Sequence, residues 1–278
     1  MRKDMTDAHD MIFTDRAHAG VALADEVARV LDEATRTSTD PAPDGTDPAP
    51  DGPDAPDGPD APDAPDGPDG AVPTTSAGPV PRTEADRPVV FGLPRGGIPV
   101  AAPVAERIGA DLGIVVARKI AAPGRPEWGV GAVAEDGPAV FDRAALRHLR
   151  LTEDDLAGSV AQERAELRRR IARYRGARAV PSVRDRVVVV VDDGLATGVT
   201  ARAALRWLRP QQPRLLMLAV PVCAREARTV VADAADLVVC LSAPRDFSAV
   251  GRWYRDFTQL TDADVDAELA RAVRETTR

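Results

Sequence analysis

The chain has 278 residues, enough for one large or two small domains, and carries a formal net charge of -8. Residues 40–70 contain ten aspartates and no lysine or arginine, so subtracting them leaves the rest of the chain near neutral at +2. A near-neutral body does not indicate a nucleic-acid partner, and no apolar run approaches the roughly 18 residues of a membrane span. Only two cysteines occur and the amino terminus lacks a signal-peptide core, so we expect a cytoplasmic protein.

The first segment, residues 1–36, is predicted to form an N-terminal helix that packs on the body, because residues 15–33 carry an apolar stripe. Residues 37–87 are rich in proline, aspartate and glycine and are expected to form a disordered insertion. The alternative is a tether to a helix that does not dock. We favour the insertion, because an isolated helix cannot bury its stripe.

From residue 88 to residue 278, strand and helix patterns alternate. Such alternation predicts a parallel sheet with helices on both faces, an α/β fold. The expected strands cover residues 89–91, 112–117, 187–191, 215–220 and 237–241, and the expected helices cover residues 98–108, 152–174, 201–208 and 224–232.

Two features in the first half of this body can bind anions. The turn at residues 92–97 links a strand to a helix and contains Arg95, Gly96 and Gly97, so its backbone N–H groups can approach a phosphate. Arg118 and Lys119 are expected to end the next strand, and Lys119 is the single lysine of the body. Its position after a buried strand favours a phosphate contact over an ordinary surface residue. The spacing of the glycines then predicts a loop and hairpin that can move near residues 119–137.

The most informative segment covers residues 187–200. Five valines predict a strand buried on both faces, and Asp192 and Asp193 follow at its carboxyl end, where open α/β sheets bind ligands. A turn then opens a helix and offers N–H groups and hydroxyls to a phosphate. A Walker-type nucleotide loop is excluded, because the turn has no lysine. The turn consists of Gly194, Leu195, Ala196, Thr197, Gly198, Val199 and Thr200.

This segment resembles the signature that binds 5-phosphoribosyl-1-pyrophosphate (PRPP) in type I phosphoribosyltransferases, especially bacterial members whose acceptor is unassigned. The resemblance covers nearly all of residues 14–261 apart from the insertion. It implies a central parallel sheet flanked by helices, with a small C-terminal hood near residues 242–261. It also implies that Asp192 and Asp193 address the ribose hydroxyls and contact Mg²⁺ indirectly through PRPP. Residues 196–200 would then bind the 5′-phosphate.

The same resemblance assigns the turn around Arg95 to pyrophosphate, often with a non-proline cis peptide, and the loop near residues 119–137 to closure over the donor. In the hood, Phe247 or Trp253 would stack on the acceptor base, although aromatic clusters are also typical of a core. Arg95, Lys119, Asp192 and Asp193 are the expected catalytic groups.

The implied reaction transfers the phosphoribosyl group from PRPP to a nitrogenous base or related acceptor and releases pyrophosphate. Enzymes for 6-oxopurines usually carry an aspartate where this chain has Ala196, which disfavours hypoxanthine and guanine. The rival interpretation is a non-catalytic module that binds PRPP or a nucleotide and reports it to a partner. Exposed arginine and aromatic surfaces suggest a homodimer, whereas nucleic acid is not expected as a partner.

Overall fold

The computed structural model describes residues 12–37, 87–176 and 179–276 of the chain. The insertion predicted at residues 37–87 therefore lies outside the described residues, apart from its two ends. In the part of the chain that is described, no helix combines the length and the apolar character needed to cross a membrane.

Five parallel strands form the central sheet. They are β1 (Val89–Gly92), β2 (Asp111–Ile114), β6 (Val187–Val191), β7 (Leu215–Val222) and β8 (Leu237–Ser242). Their order in the sheet is β2, β1, β6, β7, β8. The valines of β6 lie between β1 and β7, and Val189 is in register with Val90 on one side and Met217 on the other. Because both faces of this strand are covered, a continuous β-branched run is its stable composition.

Helices cover both faces of the sheet. The helices of the described chain are α1 (Arg16–Thr37), α2 (Gly97–Ile108), α3 (Arg143–Leu149), α4 (Ala157–Arg175), α5 (Val199–Leu208), α6 (Arg225–Val231) and α7 (Asp262–Thr276). One face of the sheet packs against α1 and α2, and the opposite face packs against α5 and α6. This arrangement confirms the predicted α/β fold with a parallel sheet flanked by helices.

Helix α1 packs on the body through its apolar stripe. Leu23 and Val27 are fully buried and share a cluster with Val100 and Val104 of α2 and with residues of the central strands. Burying a side chain of this size contributes about 1.5 to 3 kcal/mol. The N-terminal helix is therefore part of the folded body, although residues 38–86 separate it from β1.

The prediction of one strand at residues 112–117 is wrong. Strand β2 ends at Ile114, and a separate antiparallel sheet begins at Ala117, formed by β3 (Ala117–Ala122), β4 (Arg125–Ala134) and β5 (Val140–Phe141). Val115 and Val116 are buried between the two sheets, so the apolar run continues across the break and conceals it.

This correction moves Arg118 and Lys119. Both lie near the start of β3 in a hairpin, whereas the sequence placed them at the end of a strand of the main sheet. The base of the hairpin is held by Glu135, whose carboxylate accepts a hydrogen bond from the Val116 N–H and pairs with Arg175, each at 2.8 Å.

Candidate functional site

Two loops that are distant in sequence meet at the carboxyl edge of the sheet. The turn after β1 and the acids after β6 are adjacent because these strands are neighbours. A Cβ atom built on Gly96 would lie 1.8 Å from Oδ2 of Asp193, which is closer than any real contact. Glycine at position 96 thus leaves room for the Asp193 carboxylate in its present position, and the acid pair lies directly beside the turn.

Asp192 and Asp193 are both partly buried at this edge. The Asp193 N–H donates a hydrogen bond of 2.9 Å to Oδ1 of Asp192. This bond holds the Asp192 carboxylate against the backbone of Asp193. Burial raises the pKa of both acids, and repulsion by Asp193 raises that of Asp192 further, well above its usual range. Acids whose pKa is raised in this way are typical of functional sites.

Arg16, the first residue of α1, offsets part of this cost. Its Nε donates a hydrogen bond of 2.9 Å to Oδ2 of Asp193 and thereby lowers the pKa of that carboxyl against the effect of burial. No other ion pair in the described residues involves Asp192 or Asp193.

The turn after the acids contains backbone N–H groups that have no acceptor in the described residues. Leu195 is tied to the end of β7 and to the residues after it, since its N–H donates to the Val222 carbonyl and its carbonyl accepts from the Ala224 N–H. Between Leu195 and α5, the N–H groups of Ala196, Thr197 and Gly198 donate to no acceptor within the described residues. Gly198 has a φ of 78°, a left-handed conformation that favours glycine.

Several other predicted residues belong to this turn. Val199 and Thr200 are the first two residues of α5, where the positive end of the helix dipole lies. The Val199 N–H reaches the Thr197 hydroxyl at 3.5 Å. Gly194 lies under the hood, because a Cβ there would be only 2.5 Å from Val250.

The hood, residues 242–261, contacts the acid pair at Asp193. The Tyr254 hydroxyl donates a hydrogen bond of 2.6 Å to the backbone carbonyl of Asp193. The segment before α1 also pairs with the hood, since Phe13 donates to the Trp253 carbonyl and accepts from Arg255, each at 2.8 Å. Asp193 is therefore enclosed by residues from both ends of the described chain.

The two aromatic candidates of the hood have different surroundings. Trp253 is only 7% exposed and belongs to a cluster with Phe13 and Tyr254, so its ring faces the interior. This location favours the core interpretation over base stacking. Phe247 is partly exposed and packs beside the same cluster, and it keeps a surface that a ligand could reach.

The cationic candidates lie at the β1 turn and in the hairpin. Arg95 is partly exposed, its Nη1 lies 3.9 Å from Asp262, and the Pro94–Arg95 peptide bond is cis, as the resemblance implied. Lys119 extends across β4, where a Cβ on Gly129 would meet its Cε at 1.8 Å. Gly97 begins α2 and is buried.

Arg118 lies in another environment from Lys119. Its Nε donates a hydrogen bond of 2.8 Å to Glu163 of α4, so its guanidinium is engaged with that helix. Because side chains alternate along a strand, Lys119 projects to the opposite face of β3. The sequence grouped these two residues as one basic pair, and the structure separates them.

Arg16 and Tyr254 were missed at the sequence level. One signal could have revealed Arg16: it opens a helix, where the dipole disfavours a cation, and the first turn of α1 contains no acid. An arginine at that position suggests a distant acidic partner. No comparable signal marks Tyr254.

The residues at the site suit a Mg²⁺ ion that arrives with a phosphorylated ligand. Carboxylate oxygens are suitable Mg²⁺ ligands, and Mg²⁺ is usually held by one or two carboxylates together with substrate phosphates. Asp192 and Asp193 supply carboxylate oxygens at the site, and their contact with the ion is expected to be indirect, through PRPP. No group of three or more histidine, cysteine or acidic side chains forms a metal cluster among the described residues.

Comparisons with known proteins converge on one family. The profile of the family described as "Phosphoribosyl transferase domain" matches residues 81–252. Two proteins of Mycobacterium tuberculosis strains, provisionally named phosphoribosyl transferases, are 42% identical over 187 residues. The match covers 67% of this chain and 42% of each mycobacterial protein, so the chain spans less than half the length of these relatives.

A solved structure is similar over almost the whole chain. The crystal structure of the protein TT1426 from Thermus thermophilus is 36% identical and superposes with a TM-score of 0.63. The match covers 94% of this chain and 99% of that protein.

Proposed function

We propose, from the premise that this chain belongs to the phosphoribosyl transferase family, that it transfers the 5-phosphoribosyl group of PRPP to a nitrogen acceptor and releases pyrophosphate. The bond between the anomeric carbon and the pyrophosphate oxygen breaks, and a bond to the acceptor nitrogen forms. Mg²⁺ bound to PRPP supplies positive charge to the leaving group. A cytoplasmic location and a role in nucleotide metabolism would follow from this activity.

The observation that carries the proposal is the open turn beside the acid pair. Three consecutive N–H groups, those of Ala196, Thr197 and Gly198, precede the N-terminus of α5 and have no protein acceptor in the described residues. Such a geometry binds phosphate. Asp192 and Asp193 lie directly before it and can accept hydrogen bonds from ribose hydroxyls, so a sugar phosphate matches both parts.

The pyrophosphate end of PRPP would lie over the turn after β1. Gly96 and Gly97 shape this turn by leaving room for Asp193 and Val191. Arg95 with Lys119 would neutralise the charge that develops as the bond breaks. The hairpin of β3 and β4 would cover the donor and exclude water, which protects a cation-like transition state from hydrolysis.

The acceptor would bind between this site and the hood. Phe247 is the candidate for stacking on a base, because Trp253 is buried in the core. Ala196 cannot help to protonate a 6-oxopurine. We therefore propose an adenine-like or unusual nitrogenous acceptor rather than hypoxanthine or guanine.

The test begins with calorimetric titration of PRPP in the presence of Mg²⁺, followed by a panel of bases scored for pyrophosphate release. Thr197→Val should weaken PRPP binding about tenfold, because a hydrogen bond to a charged group contributes about 1.5 kcal/mol or more. Thr229→Val is the matched control, since Thr229 is exposed on α6 and is not one of the residues of the turn.

The outcomes separate the candidate functions. Pyrophosphate release with one base of the panel would support the transferase. Binding of PRPP without release for any base would favour the non-catalytic module. No binding of PRPP would reject both, and high turnover with hypoxanthine or guanine would contradict the inference from Ala196.

A further inference from the structure

The guanidinium of Arg16 is held on three sides. Its Nε donates to Asp193 at 2.9 Å, and its Nη1 donates to the Thr258 carbonyl at 3.0 Å. Its Cζ lies 3.9 Å from the centroid of the Phe257 ring, within the range of a cation–π contact. The side chain is only 11% exposed. An arginine so constrained has already lost its conformational freedom, so it presents a fixed hydrogen-bond donor to Asp193.

Asp193 is fixed at two points by these surroundings. Arg16 binds its carboxylate from α1, and Tyr254 binds its backbone carbonyl from the hood. On the remaining side lies Gly96 of the turn after β1. The carboxylate therefore lies between the N-terminal helix and the proposed position of pyrophosphate, and its orientation depends on a residue outside both sequence motifs.

Charge balance gives the contact a second role. Two adjacent carboxylates repel each other in a partly desolvated edge of the sheet, and one cation of the described residues forms an ion pair with them. The other titratable group facing Asp193 is the Tyr254 phenol, which carries no charge at neutral pH. Without Arg16, the Asp193 carboxylate would be free to turn away from the Asp192 carboxylate.

We propose that Arg16 is a positioning residue for Asp193, and that helix α1 is thereby a functional part of the PRPP site. This inference rests on the proposed function. Arg16 acts through the carboxylate that addresses the ribose and not on the pyrophosphate. Residues 38–86 thus connect two parts of one site.

The experiment compares Arg16→Met and Arg16→Lys with Arg29→Met, which removes an exposed arginine of the same helix paired with Glu26 and Glu33. Affinities for PRPP and for inorganic pyrophosphate are measured by calorimetry with Mg²⁺. In Arg16→Met we expect PRPP affinity to fall about tenfold or more, as for loss of a charge-assisted hydrogen bond. Pyrophosphate affinity should fall much less, because pyrophosphate lacks the ribose hydroxyls that Asp193 is proposed to bind.

Two further results are expected if Arg16 positions Asp193. Arg16→Lys should keep more PRPP affinity than Arg16→Met, since it retains the charge. In the ligand-free protein, the ¹³Cγ resonance of Asp193 should shift in Arg16→Met and remain in place in Arg29→Met.

Several results would overturn the inference. One is an unchanged PRPP affinity in Arg16→Met. Another is tighter binding of PRPP by Arg16→Met, which would mean that Arg16 competes with the ribose for Asp193. The third is an equal loss of affinity for PRPP and pyrophosphate, which would indicate that α1 no longer docks on the body. A wild-type protein that binds no PRPP would instead reject the proposed function. The ¹³Cγ measurement would then still decide whether Arg16 holds the carboxylate.

Discussion

Substitution of Gly96 by alanine tests the contact between the two loops of the site. The new Cβ would lie 1.8 Å from Oδ2 and 2.4 Å from Cγ of Asp193. To reach the 3.0 Å limit of real contacts, the oxygen must recede by about 1.2 Å. The same oxygen accepts the hydrogen bond from Arg16 at 2.9 Å, so this movement breaks or strongly distorts the ion pair.

The expected cost follows from the lost interaction. A hydrogen bond between charged groups contributes about 1.5 to 3 kcal/mol. For a domain of this size, a loss of about 2 kcal/mol lowers the melting temperature by roughly 4 to 8 °C. Affinity for PRPP should fall at least about tenfold, because 1.4 kcal/mol corresponds to that factor.

Thermal melting followed by circular dichroism and calorimetric titration of PRPP measure the two effects. Gly158→Ala is the matched control: Gly158 lies in α4 and a Cβ there meets nothing within 4 Å. Because alanine favours a helix over glycine, this control should be neutral or more stable by up to about 1 kcal/mol. A Gly96→Ala protein with wild-type melting temperature and PRPP affinity would refute the close approach of the two loops.

Three other predictions concern the acid pair and the hood. Burial and an acidic neighbour raise the pKa of Asp192 in the folded protein, so the stability of the fold should decrease as pH rises from the ordinary carboxyl range through that raised pKa. Asp192→Asn should then have a higher melting temperature than wild type at neutral pH, and the difference should shrink as the pH is lowered. A lower melting temperature of Asp192→Asn at neutral pH would contradict the raised pKa of Asp192. Trp253→Ala should destabilise the fold by about 3 to 5 kcal/mol in chemical denaturation, as for a buried aromatic residue. Phe247→Ala should mainly raise the KM for the acceptor, and equal effects of both changes on stability alone would argue against a base platform at Phe247.

The sequence allowed the α/β fold to be predicted because β6 and its turn are local features. The five valines of Val187–Val191 are apolar on both faces of a strand, so they are stable only where both faces are covered. The glycine and threonine residues after Asp193 encode a helix N-terminus with free N–H groups. These properties depend on covalent chemistry and on neighbours within a few residues. The same is true of the apolar stripe that predicted α1.

The break between β2 and β3 could not be predicted, because Val115 and Val116 are apolar for a reason of tertiary structure. They are buried where the two sheets join, so the pattern contains no polar residue at the chain's change of direction. The separation of Arg118 from Lys119 follows from this break. Adjacent residues of a strand face opposite sides, and only the position of the strand decides what lies there.

By itself, the sequence determined which residues are proposed to bind a phosphorylated sugar: two acids, the turn that follows them and a second glycine-rich turn. The tertiary structure alone decided what holds these residues in place. Strand order brought Gly96 against Asp193, and docking of α1 brought Arg16 to the same carboxylate. Arg16 and Asp193 are 177 positions apart in the chain, and no local pattern specifies such a contact, since it arises from the packing of whole elements.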